Sequence, residues 1–194
     1  MPIKCDDLKG LLDESLNRHG LNPVLTLAVA LASKYEGMGR VGLSRYLSLR
    51  ERQVRHIIDF LKKGNKNLSQ TISNVVDMLS IQVIGVHGEK AIVMYKELGI
   101  DIIELVSKHV VYLRDFIVIF SANPSKVEAI GVVSENKVSY PGMPPDIEIY
   151  YVKPVEKAVS EGNGIVIWFN NYRRYLDDAV IIASISMLCS RSPQ

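Results

Sequence analysis

The feature that most constrains this chain is a change in the spacing of its apolar residues near residue 80. Before that point apolar side chains recur at helical spacing in five consecutive segments; after it, short strand-like runs joined by tight turns alternate with helical segments. Strands paired by hairpins with helices between them predict an α+β fold, in which helices cover one face of a mostly antiparallel sheet in two layers. A chain of 194 residues buries roughly 70% of its extended surface on folding, so neither metals nor disulfides are required for a stable core. With 47% hydrophobic residues and 23% charged residues, collagen-like, disordered and disulfide-scaffold classes are excluded.

In the first half, Asp6–Asn17 carries Leu8, Leu11, Leu12 and Leu16 on one face, and Gly20 would end that helix. Asn22 as N-cap, Pro23 at the first helical position and Gly37 as the stop delimit a second helix, apolar on nearly every side and so placed at the centre of its unit. Gly37-Met38-Gly39-Arg40-Val41-Gly42 matches the G-x-G-x-x-G pattern of a dinucleotide loop. A helical segment precedes it where that loop needs a strand, so it reads as an interhelical turn.

Val41, Leu43, Tyr46 and Leu47 form a short helix, and Ser48-Leu49-Arg50-Glu51 reads as a capping box opening a longer one at Leu49. Val54, Ile57, Ile58 and Leu61 fall on one stripe of that helix, leaving Arg52, His56, Asp59 and Lys63 opposite, Gln53 and Arg55 on the flanks and Arg50 at the start. Short helix, turn and longer basic helix form the pattern of a helix-turn-helix, whose second helix enters the DNA major groove. Arg52, Gln53 and His56 are the expected base-edge contacts, and Arg45, Arg50, Arg55 and Lys63 the phosphate contacts. A solvated basic helix in a bundle is the plainer account of the same residues.

Charge distribution favours the first account. Residues 1–66 hold 12 Lys+Arg against 7 Asp+Glu, whereas residues 67–194 hold 11 against 14, so a formal net charge of +2 conceals a basic helical part and an acidic remainder. After Lys63 a winged helix would show two strands; here LSQTISNVVDML at residues 68–79 reads as a helix, so the wing is short or absent. The apolar seam of that helix would pair with a second copy or bury against its own chain. The expected division is a helix-turn-helix unit at 1–66, a connecting helix at 67–80 and an α+β unit at 81–194 that binds an effector or mediates dimerisation.

The second half reads as hairpins at Ile81–Val86 with Ala91–Tyr95 and at Lys126–Val133 with Lys137–Tyr140. Helices are expected at Ile100–Val106, Val152–Ser160 and Tyr172–Cys189, and a buried strand at Gly164–Phe169. Val110–Phe120 fits strand or helix, and Pro141, Pro144 and Pro145 mark a loop. No catalytic signature occurs, the four histidines are scattered, and no metal or cofactor is implied. Asp177 and Asp178 read as solvated acidic residues. Trp168, Asn170, Asn171, Arg173 and Arg174 would line a pocket for an anionic effector; core packing and helix capping account for the same residues. The opening segment lacks an apolar signal-peptide core, and the longest apolar run, Ala179–Cys189, is too short to span a bilayer, so a cytoplasmic protein is expected. Cys5 and Cys189 read as two reduced thiols, with no support for a bond between them.

GRVGLSRYLSLRERQVRHIIDFL at Gly39–Leu61, YLRDFIVIF at Tyr112–Phe120, IGVVSENKVSYPG at Ile130–Gly142 and EGNGIVIWFNNYRRYLDDAVIIASISML at Glu161–Leu188 together resemble archaeal proteins with an N-terminal winged helix-turn-helix and a C-terminal α+β domain of uncharacterised function. The resemblance covers most of the chain after residue 22 and implies a transcription regulator whose second domain is a two-layer sensor or dimerisation module; the truncated wing departs from it. Binding to double-stranded DNA as a dimer is expected because one such helix reads only a few base pairs. An enzyme with an appended helix-turn-helix, as in archaeal winged-helix riboflavin kinases, is the alternative, although Tyr140-Pro141-Gly142-Met143-Pro144 only echoes the nucleotide loop of those kinases. A protein-interaction adaptor with an acidic partner is the third reading.

Overall fold

The structure is a computed structural model that describes residues 2–12, 19–63, 66–159 and 162–191, without the side chains of Lys66 and His87. The first helix, α1, is confined to Cys5–Leu8, and the rest of the segment expected to be helical lies largely outside the described residues. Helix α2 (Pro23–Glu36) has the expected ends: Asn22 Oδ1 accepts from the Leu25 N–H at 3.1 Å, and Gly37, at φ 61°, closes the helix in the left-handed conformation that a residue without Cβ adopts at least cost. Leu27, Ala28, Val29, Leu31 and Ala32 are all buried, as its uniformly apolar surface requires.

Helices α3 (Arg40–Tyr46) and α4 (Glu51–Lys63) are linked by residues 47–50. The capping residues differ from the expected ones. Ser48 has φ 54°, a left-handed conformation outside the extended region of an N-cap, and the helix opens two residues later than expected. Gln53 instead reaches back, its Oε1 accepting from the Arg50 N–H at 3.1 Å. The turn is held by the Leu49 N–H on the Ser44 carbonyl and by the Ser44 hydroxyl on the Leu49 carbonyl. Val54, Ile57 and Phe60 are buried, while Ile58 and Leu61 lie partly buried at the stripe's margin.

Helix α5 (Lys66–Met78) follows with no strand before it among the described residues. Its seam of Leu68, Ile72, Val75 and Val76, continued by Leu79, is buried within this chain, so it offers no surface to a second copy.

The sheet comprises β1 (Ser80–His87), β2 (Lys90–Lys96), β3 (Val127–Ser134), β4 (Lys137–Ser139) and β5 (Gly164–Asn170) in the order β1-β2-β5-β3-β4, with every pairing antiparallel. The last strand in sequence takes the central place because its unbroken apolar run suits burial on both faces. One face, bearing Val93, Tyr95, Ile165, Ile167 and Phe169, packs on α6 (Ile100–Lys108), α7 (Val110–Ser121) and α9 (Leu176–Arg191). A register shift between Val127 and Ala129 reverses the alternation of β3 and puts Val127, Ile130 and Val132 on that same face.

Three expectations are corrected here. The helix predicted at Val152–Ser160 is α8 (Pro145–Glu156), which starts at proline because a first-turn residue needs no N–H donor. The sheet is not bare on its second side, where Val155 of α8 packs with Ile92, Met94, Val133 and Val166, so the two-layer description gives way to helices on both faces. Cys5 and Cys189 are bonded, tying α1 to the last helix. The chain start also joins the second half, since Ile3 bridges Leu98 and the Ser186 hydroxyl donates to the Leu8 carbonyl. Val110–Phe120, ambiguous in sequence, is helical and buries Leu113, Phe116 and Ile117 at helical spacing. A single set of buried apolar side chains runs from Ile3 to Cys189 through both halves.

Candidate nucleic-acid interface

With Val54, Ile57 and Phe60 turned inward, the outer side of α4 carries Arg52, Gln53, Arg55, His56 and Asp59 in the open, and Arg50 stands exposed just before its first residue. Together with Glu51 these side chains line one shallow depression. Lys63 is exposed at the far end of the helix and Arg45 on α3.

Not all of these groups are unengaged. Arg55 lies 3.5 Å from Glu51, one turn earlier, a solvent-exposed pairing worth little that a phosphate could displace. The Gln53 carbonyl oxygen is committed to the helix cap, leaving its amide N–H groups outward. His56 Nε2 lies 3.0 Å from the His19 carbonyl; since a carbonyl only accepts, Nε2 carries the proton and Nδ1 is left as an acceptor in the neutral ring. Arg50 and Arg52 make no side-chain hydrogen bond or ion pair among the described residues.

Behind this face, the helical part meets the sheet part through a polar junction that sequence reasoning missed. Asp177 and Asp178, expected in solvent, are 1% and 0% exposed. Asp178 accepts from the hydroxyls of Tyr95 and Tyr172 at 2.7 and 2.8 Å and from the Tyr175 N–H at 2.7 Å. Asp177 pairs with buried Lys126 at 2.7 Å and accepts from the Arg173 N–H, while its Oδ1 has no hydrogen-bond partner among the described residues. Lys126 Nζ also donates to the Asn171 carbonyl at 2.6 Å. At the same junction the Tyr175 hydroxyl donates to Glu36 at 2.6 Å, Arg174 meets Glu36 at 3.3 Å, and the Tyr35 and Tyr175 rings stack at 6.1 Å. The signal in the sequence was the apolar run after these aspartates: a helix buried on all sides carries its first turn inward with it.

Burial pushes the Asp178 carboxyl above its ordinary 3.8, against the hydrogen bonds from Tyr95, Tyr175 and Tyr172 that favour the ionised form. A carboxyl raised in the native state takes up a proton on folding. Its contribution to stability is therefore present below the unfolded value and lost as pH rises through the native one. Carboxyl-carbon NMR is expected to show Asp178 titrating above 3.8; titration at or below that value would contradict the direction.

The five residues read as one effector pocket are divided. Successive strand residues point to opposite faces, so Trp168 lies on the α8 side, its Nε1 donating to the Tyr140 hydroxyl at 2.8 Å and its ring edge-on to Tyr151. The Tyr140 ring lies flat on Gly131, where a Cβ would come within 2.8 Å of it. Asn170 donates to the Ser125 carbonyl, and Asn171 is engaged by Lys126. Only Arg173 and Arg174 border a common cleft, with Tyr46, Leu47, Ser48, Tyr172 and Leu176.

Fold and site thus define an α+β protein whose four consecutive helices, α2 to α5, precede a five-stranded antiparallel sheet and expose one basic helix face. No match is found in comparison with protein-family models, with curated proteins or with solved structures. Among the described residues, no helix is long and apolar enough to cross a membrane, and no cluster of His, Cys, Asp and Glu is placed to hold a metal ion.

Proposed function

We propose that the protein is a homodimeric transcription regulator of the archaeal helix-turn-helix kind, with α4 entering the major groove of double-stranded DNA. The observation that carries the reading is the outer face of α4, where Arg50, Arg52, Arg55 and His56 stand exposed over a buried Val54-Ile57-Phe60 stripe, one short turn after α3. Guanidinium forks match guanine edges and phosphates alike. Because one such helix reads only a few base pairs, two copies set about 34 Å apart supply affinity and half-site spacing. The α5 seam is spent inside the chain, so the second copy docks elsewhere; exposed Val111, Tyr112 and Ile119 on α7 supply apolar surface for it.

Fluorescence anisotropy with duplex DNA fragments between 50 and 200 mM salt tests the proposal. Affinity is expected to fall steeply with salt, with two chains bound per site; the double variant R52A/R55A should flatten the log–log slope by about 1 per chain, for the lost Arg55 phosphate contact, while loss of the Arg52 base contact relaxes sequence preference. Binding that ignores salt, or no binding to any genomic fragment, would sink it. An acidic polypeptide bound as tightly as DNA at matched salt would favour the adaptor reading instead.

A further inference from the structure

We propose that the cleft between residues 46–48 and residues 172–176 is a binding site for a small phosphate monoester carrying a planar ring, and that its occupancy alters the DNA affinity of α4. The second clause rests on the DNA-binding reading; the first does not.

The cleft has a volume of about 390 Å³, within the range of small-molecule sites. Its lining is of two chemical kinds. Tyr46, Leu47, Tyr172 and Leu176 supply apolar and aromatic surface; Tyr46 is 44% exposed, with its ring tilted against Tyr175 at 5.9 Å. Ser48, Arg173 and Arg174 supply donors, and no carboxylate borders the cleft. The Arg173 guanidinium forms no hydrogen bond or ion pair among the described residues, although its charge acts on buried Asp177. Arg174 meets Glu36 at 3.3 Å and lies over the Tyr175 ring, 4.9 Å from its centre, so its fork is partly engaged on the protein side. Two guanidinium groups from one rim and a hydroxyl from the other suit an oxyanion with several acceptor oxygens better than any neutral group.

Backbone conformation at the rims adds a separate observation. Ser48, Asn171 and Tyr175 have φ of 54°, 53° and 64°, left-handed values that cost a residue with a Cβ, most of all a bulky tyrosine. Each is held by a contact already described: the Ser44–Leu49 bonds flank Ser48, Lys126 holds the Asn171 carbonyl, and Asp178 accepts from the Tyr175 N–H. The buried polar junction thus fixes the shape of the cleft. Residues 46–48 also run from the end of α3 into the turn before α4, so a ligand that touches both rims bears on the segment that places α4. Such a ligand shifts α4 to the extent that it binds one arrangement of that turn better than another.

The test uses the intact chain without DNA, titrated calorimetrically at constant ionic strength with adenosine monophosphate, pyrophosphate and adenosine. Adenosine monophosphate is expected to bind, pyrophosphate to bind more weakly, and adenosine to bind least. The double variant R173A/R174A should weaken adenosine monophosphate roughly tenfold or more, with an unchanged circular dichroism spectrum, while Arg114→Ala, on α7, leaves it unaltered. Tyr46→Ala should weaken the nucleotide but not pyrophosphate. Absent binding of both anions, or equal binding by wild type and R173A/R174A, overturns the site. In a second arm, anisotropy with DNA is repeated at saturating nucleotide; binding that leaves DNA affinity unchanged overturns the coupling and leaves the site standing. Absence of DNA binding both with and without nucleotide, with the calorimetry intact, would refute the DNA reading instead.

Discussion

Removing the Cys5–Cys189 bond is expected to lower the unfolding free energy by about 5 kcal/mol, because the bond closes a loop with a sequence separation of 184 residues and so withdraws much conformational freedom from the unfolded chain. For a chain of this size each kcal/mol moves the melting midpoint by roughly 2–4 °C, so the expected fall is about 10–20 °C. Cys189 is 2% exposed and Cys5 partly exposed, so a reductant reaches the bond of the folded protein from the Cys5 side. The measurement is best made on Cys5→Ser, or on wild-type protein refolded under reductant, with both expected at the same lowered midpoint. Equal midpoints for oxidised and reduced protein would show that the bond contributes nothing. Local consequences should appear first at the chain start, where the Ile3 N–H donates to the Glu97 carbonyl, the Ile3 carbonyl accepts from the Gly99 N–H and the Cys5 N–H donates to Asp101.

Lys126→Met is expected to cost about 3–5 kcal/mol, the usual penalty for leaving one member of a buried ion pair without its partner. Lys126 and Asp177 have side chains 4% and 1% exposed, and no water-facing position is open to the abandoned carboxylate. Burial already holds the Asp177 carboxyl above its ordinary range against the opposing effect of Lys126. In the variant the opposition is gone, so the carboxyl rises further and protonates sooner as pH falls. The deficit should therefore shrink toward acidic pH and be largest near neutrality, the sign expected of a raised carboxyl. The double variant K126M/D177L should recover more than Lys126→Met alone, since an apolar pair replaces a lone charge. Recovery will be incomplete, because the Arg173 N–H and the Asn171 carbonyl both lose a partner. Urea unfolding across pH 4–8 separates these outcomes, and a loss under about 1 kcal/mol for Lys126→Met would contradict the burial of the pair.

Much of the helical half was legible because its determinants are local. Asn22, Pro23 and Gly37 act on backbone groups within one turn of themselves, and the stripe through Val54, Ile57, Ile58 and Leu61 is a property of helical geometry alone. The cap of α4 was misassigned because Ser48 and Gln53 are both chemically able to cap; the choice was made by the Ser44–Leu49 bonds that turn Ser48 left-handed. For the candidate DNA face, the outward residue types were readable, but the commitments of His56 to His19 and of Gln53 to its own helix were not. The effector residues failed as a group because a strand sends Trp168 to the α8 face of the sheet while Arg173 and Arg174 follow the chain into a cleft with Tyr46 and Ser48.

Although it left Val110–Phe120 open and read the start of α8 as loop, the sequence by itself determined the type of most other segments and that basic side chains gather on the outside of one amphipathic helix. Those properties follow from interactions within about four residues, whose partners are known once the order of residues is known. The tertiary structure alone decided that β5 sits at the centre of the sheet, that α8 covers its second face, that Cys5 meets Cys189, and that Asp177 and Asp178 are buried. The partners that set these outcomes lie far along the chain, as Tyr95 does from Asp178, and only packing brings them within hydrogen-bonding distance.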